Sequence, residues 1–301
     1  MTLGFEELSL VTIAQIKTTL ITLTIVYVYF VLNRYITQYR TKRRLTQELA
    51  QHDNFAYGLS YAGSIFAFVL MASEVFPGVS FTDPLADTVH AVVYALLALI
   101  FLELGRFIHD RHILFNFDEN KAINQKNVAG AIIDAASVIA NAICVVAIYH
   151  WTGANTLDDL PIIILMYLIC QVQLLMLTRW REYRYARVNQ GESMQRTLSY
   201  ENTSLSIQHA GYLIAGALAI RTTSHISYYL PSQITSNVAS FILVSTAVMV
   251  ATIVFSGLAS KIVLAKINSN VEISHQDNVG IATIEFSVLV AISMVLLRVF
   301  S

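Results

Sequence analysis

The stretch Lys126-Asn127-Val128-Ala129-Gly130-Ala131-Ile132-Ile133-Asp134-Ala135-Ala136 opens an apolar run that continues to Tyr149. A run of this length matches the roughly 20 residues an α-helix needs to cross hydrocarbon. It contains a single acid, Asp134, and begins on an Asn, a residue able to cap a helix start. Similar starts recur at Asp53-Asn54-Phe55-Ala56, Glu201-Asn202-Thr203-Ser204 and Asp277-Asn278-Val279-Gly280. The asparagines lie 73, 75 and 76 residues apart, so the chain reads as four copies of one unit.

Each unit holds an apolar helix, a basic connection, the Asn and a second apolar helix. The eight expected spans are 11–32, 55–75, 85–104, 128–149, 160–178, 203–220, 237–260 and 279–300. This predicts an all-α, polytopic membrane helix bundle of parallel two-helix repeats. Residues 1–151 form a first membrane half and residues 152–301 a second. Composition agrees: 55% of the 301 residues are hydrophobic and 13% are charged, about half the charge of a soluble domain. No connection is long enough to fold as a soluble domain. The first span lacks a preceding basic region and a small-residue cleavage site, so it reads as a retained helix.

Net charge is −1, but Lys and Arg are unevenly placed. Arg34, Arg40, Lys42, Arg43 and Arg44 follow span one; Arg106, Arg111, Lys121 and Lys126 follow span three. Arg179, Arg181, Arg184, Arg187 and Arg196 follow span five, and Lys261 and Lys266 follow span seven. On the opposite side stand Arg221 and Arg298. The positive-inside rule then puts these four connections in the cytoplasm and both termini outside.

Counting from each Asn, positions +2, +9 and +13 are small in every copy: Ala56, Gly63, Ala67; Ala129, Ala136, Ala140; Ser204, Gly211, Ala215; and Gly280, Ser287, Ala291. These offsets fall within about 40° on a helix and suit close packing in lipid, although Ala and Gly are also simply common in membrane helices. Position +7 is polar throughout: Tyr61, Asp134, His209 and Glu285. It lies opposite the small row, about 10 Å inside the helix start. Asn141 extends the polar stripe in the second copy. The even-numbered spans are therefore expected to be inner helices and the odd ones lipid-facing.

The starts at Asn127 and Asn278, with their small-residue rows, resemble the YjfL-like family of bacterial inner-membrane proteins, a domain of unknown function. The resemblance covers nearly the whole chain and implies a tandem duplication of four-helix members. It is weakest in the first copy, where Phe55 and Tyr57 flank the start. It implies a bacterial inner membrane and a fold, and carries no catalytic or binding residue.

An acid at membrane depth marks an ion pathway, proton relay or substrate site, or else a polar network holding helices together. Tyr61, Asp134, His209, Glu285 and Asn141 are thus the candidate pathway residues. Asn54, Asn127, Asn202 and Asn278 are expected to cap helices, the functional alternative being a cytoplasmic vestibule. Glu103 and Arg106 have the spacing of a helix-surface ion pair. Lys17 reads as a snorkelling anchor, and Glu74, His150, His225 and Arg298 as outer-end polar residues. In the run Arg179-Trp180-Arg181-Glu182-Tyr183-Arg184-Tyr185-Ala186-Arg187 the arginines read as setting orientation, with Trp and Tyr at the headgroup level, and nucleic-acid binding has no module here.

Cys144 and Cys170 read as core residues, without metal-ligand spacing. No phosphate loop, HExxH or GxSxG appears, so neither a metal, a cofactor nor a catalytic residue is expected. The expected partners are the lipid bilayer, a cytoplasmic protein at the basic loops, and further copies of the chain. The leading reading is a transporter- or channel-like protein with a proton or small-cation path through the inner helices. The alternative is a membrane scaffold recruiting a partner or anionic lipid, with an intramembrane enzyme third.

Overall fold

A computed structural model describes residues 5–75, 84–153 and 157–301. Among the described residues there is no strand. The chain runs through α1 (Phe5–Thr41), α2 (Leu45–Ala50), α3 (Phe55–Val75), α4 (Pro84–Ile108), α5 (Glu119–Asn124) and α6 (Val128–Thr152). It continues through α7 (Leu160–Val188), α8 (Met194–Ser199), α9 (Thr203–Ile226), α10 (Ile234–Val263), α11 (Ser269–Ser274) and α12 (Val279–Phe300). A π-helical turn, His109–Ile113, extends α4. The side chains of Lys17 and Glu74, read above as interfacial, lie outside the described residues.

Each repeat therefore has three helices, with a six-residue helix, α2, α5, α8 or α11, between the two long ones. Sequence periodicity does not announce so short a helix. The residue before each capping Asn is left-handed and is not glycine: Asp53, Lys126, Glu201 and Asp277 have φ of 49°, 65°, 66° and 50°. This conformation turns the chain from the short helix into the next long one, at a cost of about 1–2 kcal/mol for a side chain with a Cβ.

Seven described helices are long and apolar enough to cross a membrane. The remaining long one, α9, has 24 residues, about 36 Å of helix, but carries Gln208, His209, Arg221, Thr222, Thr223, Ser224 and His225. Its position explains the polarity, because α9 packs against α6, α12, α10 and α7. A helix surrounded by protein does not need an apolar circumference.

The second long helices stand in a row rather than a ring: α3 packs on α6, α6 on α9, and α9 on α12. The first long helices lie over the seams, α4 against α3 and α6, α7 against α6 and α9, and α10 against α9 and α12, while α1 covers α3. This places α6 in the interior along nearly its whole length, while α12 buries one side only. The expectation that every even span is inner is thus corrected for α12, which ends the row.

The small-residue rows form the seams. A Cβ on Gly63 would come within 2.7 Å of Cα and Cβ of Ala135 in α6, and one on Gly211 within 3.0 Å of the Phe286 Cα in α12. The rows of the first three repeats are buried, whereas Gly280, Ser287 and Ala291 are exposed. Cys144 and Cys170 are fully buried free thiols in the core.

Candidate functional site

The four asparagines share one geometry. Asn54 Oδ1 accepts from the Tyr57 amide at 3.0 Å, Asn127 from Gly130, Asn202 from Leu205, and Asn278 from Ile281. Their amide groups bind differently. Asn54 Nδ2 donates to Glu48 and Asn278 Nδ2 to Glu272, each at 2.9 Å. Asn54 and Asn202 also donate to backbone carbonyls of the next repeat's short helix, at Ile123 and Ile273. The charged residue before the Asn reaches the preceding repeat. Lys126 Nζ donates to the His52 carbonyl, Glu201 accepts from the Val128 amide at 3.1 Å, and Asp277 accepts from the Ser204 amide at 2.7 Å. These side chains hold the junctions together.

Burial pushes the Glu48 carboxyl up, but hydrogen bonds from Asn54 and His52 and the charges of His52 and Arg43 outweigh it and hold the group below its usual range. Glu119, on α5, bonds His109 Nδ1 at 2.5 Å. There burial wins over the attraction of His109, and the carboxyl is raised.

The +7 residues do not share one shell. Asp134 accepts from Arg106 Nε at 2.9 Å and from the Ser60 hydroxyl, and Arg106 also donates to Ser64 Oγ at 2.5 Å. Both members of this pair are buried. Arg106 meets Glu103 only at 3.4 Å, so the surface pair expected from their spacing is secondary. His209 Nδ1 lies 2.6 Å from Arg181, whose other nitrogen donates to Gln208 Oε1 at 2.7 Å. Arg181 is buried. Gln208 Nε2 in turn donates to Glu285 at 2.5 Å. Tyr61 is half-buried and is not a partner of Asp134. The rings of His109 and His209 lie 6.5 Å apart, and the Nε2 of each is buried without a hydrogen-bond partner.

Asn141 is a structural knot. It donates to the Phe101 carbonyl at 2.8 Å and accepts from Gln171 at 2.8 Å, while Tyr167 donates to the same carbonyl. Gly105 is required beside it, since a Cβ there would come within 2.4 Å of the Asn141 amide.

Counting back 21 residues from the capping Asn gives Arg106 in the second repeat and Arg181 in the third; both bond the +7 residue of their own repeat. In the fourth repeat the corresponding position is Gly257, next to Ser256, and in the first it is Asn33. A Cβ on Gly257 would meet nothing within 4 Å. A cavity of about 920 Å³ lies here between α7, α9, α10, α11 and α12, lined among others by Ser256, Gly257, Gln208, Glu285, Arg184 and Lys261. The Ser256 hydroxyl is buried without a hydrogen-bond partner.

The buried face of α10 continues from this cavity with Thr252, also buried and unpartnered, then Ser245, bonded by Gln173 at 2.6 Å, and Asn237. Ser256 to Asn237 spans about 28 Å of helix, close to a hydrocarbon thickness of about 30 Å. Phe241 and Met249 interrupt the stripe. Near the other end of α9, the His150 and His225 rings are 4.2 Å apart and Arg221 donates to the Val146 carbonyl. Among the described residues no group of His, Cys, Asp and Glu could hold a metal ion.

Sequence reasoning missed Arg181, the cavity and the α10 stripe. The presence of an arginine in the second and third copies alone was a visible signal, but it needed the repeat register and the pairing of −21 with +7.

Comparison with known proteins adds a family but no activity. Neither the curated proteins nor the solved structures gave a match. The model of one family, described as Domain of Unknown Function (DUF350), matches residues 8–149 and again residues 155–300. The chain therefore belongs to this family and carries its domain twice in tandem.

Proposed function

We propose that the protein is a transporter- or channel-like component of a bacterial inner membrane, with its solute route in the second half of the chain. The observation that carries this is the cavity beside Glu285 and its continuation along the hydroxyl-bearing buried face of α10. Unpartnered hydroxyls at Ser256 and Thr252 are costly in a membrane interior unless water or a solute meets them. In the first half the equivalent carboxylate, Asp134, is already bonded to Arg106 and Ser60. In this reading α9 is the eighth spanning helix, and both termini face outward, supported by the basic residues gathered on the short-helix side. Phe241 and Met249 act as side-chain gates rather than leaving an open pore.

The test is flux into proteoliposomes across protons, small cations and phosphate-bearing solutes, with and without a pH gradient. Transport by the parent protein should be lost in Thr252→Val combined with Ser256→Ala and kept in Tyr61→Phe. Equal flux in the double variant and the parent refutes the route.

A second reading has its own support. Arg43, Arg44, Arg111, Lys121, Arg196 and Lys266 are exposed around the short helices, a basic platform suited to a scaffold that holds a cytoplasmic partner or anionic lipid. Absence of flux in the parent for every tested species would favour it.

A further inference from the structure

The two halves of the chain supply a comparison internal to the molecule. In the first half, position +6 of one repeat donates to the +7 carboxylate of the next, Ser60 to Asp134. In the second half Gln208 donates to Glu285 in the same register. Glu285 is therefore the counterpart of Asp134 in place as well as in sequence. Asp134 completes its shell with the guanidinium of Arg106. Glu285 makes no direct ion pair of this kind: Arg181, in the same lining, reaches it through Gln208, and the space that an arginine at Gly257 would occupy belongs to the cavity. A cationic nitrogen from a ligand is the group that would restore the pattern.

The rest of the lining is not anionic. Arg181, Arg184, Lys261 and Lys266 line the same cavity, and Ser256 offers a buried hydroxyl without a protein partner. On the outward side it is bounded by Val254 and Leu258, both more than half exposed on α10, so apolar chain has a place beside the polar lining. A simple anion would leave Glu285 without a direct cationic partner, and a simple cation would leave the basic side unused. We propose that the cavity binds an amine–phosphate zwitterion of the phosphoethanolamine type, its ammonium on Glu285 and its phosphate on Arg184 and Lys261. The group is carried by a membrane lipid or free in solution. The proposal rests on the reading of this cavity as the binding site and does not require transport.

The experiment is native mass spectrometry of the full chain in detergent, with phosphatidylethanolamine, phosphatidylglycerol and phosphatidylcholine added singly at equal concentration. The parent should retain one phosphatidylethanolamine at least about tenfold more strongly than either other lipid, the scale of one charge-assisted hydrogen bond. Glu285→Gln should remove the preference over phosphatidylglycerol. Gly257→Arg, which restores the residue of the second and third repeats, should abolish retention while raising or preserving the melting temperature. Competition by free phosphoethanolamine at matched concentration would assign the soluble source, and retention unaffected by it the lipid source. No preference in the parent, or an unchanged preference in Glu285→Gln, overturns the proposal. Retention without flux would leave it standing and remove the transport reading.

Discussion

Replacing Asp134 by Asn keeps the shape of the side chain and removes its charge, which leaves the Arg106 guanidinium buried without its counter-ion. Asp134 and Arg106 are 4% and 5% exposed, and the 2.9 Å bond from Nε is joined by one from the second terminal nitrogen at 3.4 Å. Breaking one side of such a buried pair costs about 3–5 kcal/mol, because the surviving charge remains desolvated. Glu103 lies 3.4 Å from Arg106 but is a third exposed, so its compensation is weak. Glu285→Gln is the control: Glu285 is half-buried and bonded by the neutral Gln208, and the loss should stay below about 1.5 kcal/mol. In thermal unfolding of the detergent-solubilised protein, Asp134→Asn should melt at least about 5 °C below the parent and Glu285→Gln close to it. The charge-free double variant Arg106→Met with Asp134→Leu should recover most of the difference, since an apolar pair of similar volume often replaces an ion pair without loss. An Asp134→Asn protein as stable as the parent would refute the claim that this pair is a closed structural unit.

Gly63→Ala should destabilise by about 1–3 kcal/mol through overpacking against Ala135, whereas Gly257→Ala, with open space at its Cβ, should be neutral or gain up to about 1 kcal/mol from helix propensity; equal melting temperatures would contradict the seam geometry. In a background lacking Cys144 and Cys170, single cysteines at Thr152 and Gln233 should react with an impermeant reagent outside intact cells, and those at Gln47, Asn124 and Gly191 should not; the reverse pattern would invert the proposed topology. Glu48→Gln should lower stability at neutral pH. Because the folded carboxyl titrates below its usual range, the stabilisation is present above that range and is lost as pH falls through the folded value, so the two proteins should converge in acid. A gap that persists after Glu48 is protonated would assign the effect to packing instead.

Much of the fold was legible because repetition multiplies weak signals. One Asn before an apolar run is ambiguous, but four in register identify the caps, and four small rows identify the seams. The charge before each Asn was equally visible, yet its left-handed backbone and its reach into the preceding repeat appear only in three dimensions. Row and ring differ in which outer faces remain open, and helix spacing encodes neither. Arg106 and Arg181 were hidden for another reason: the positive-inside rule already accounts for arginine at a cytoplasmic helix end, and burial cannot be read there. The pairing of −21 with +7 also joins two helices across a loop and a short helix, a separation that no local periodicity detects.

The row has a thermodynamic consequence. Each unit leans on its immediate neighbours, so the molecule behaves as a short one-dimensional lattice whose stability is a sum of nearest-neighbour couplings. The end site has one coupling where an interior site has two, and α12 is such an end. When the protein is drawn from the bilayer by its C-terminus, the force trace should show α10 and α12 leaving as the first and weakest step. The seam between α6 and α9, each packed on both sides, should give the highest force in the trace.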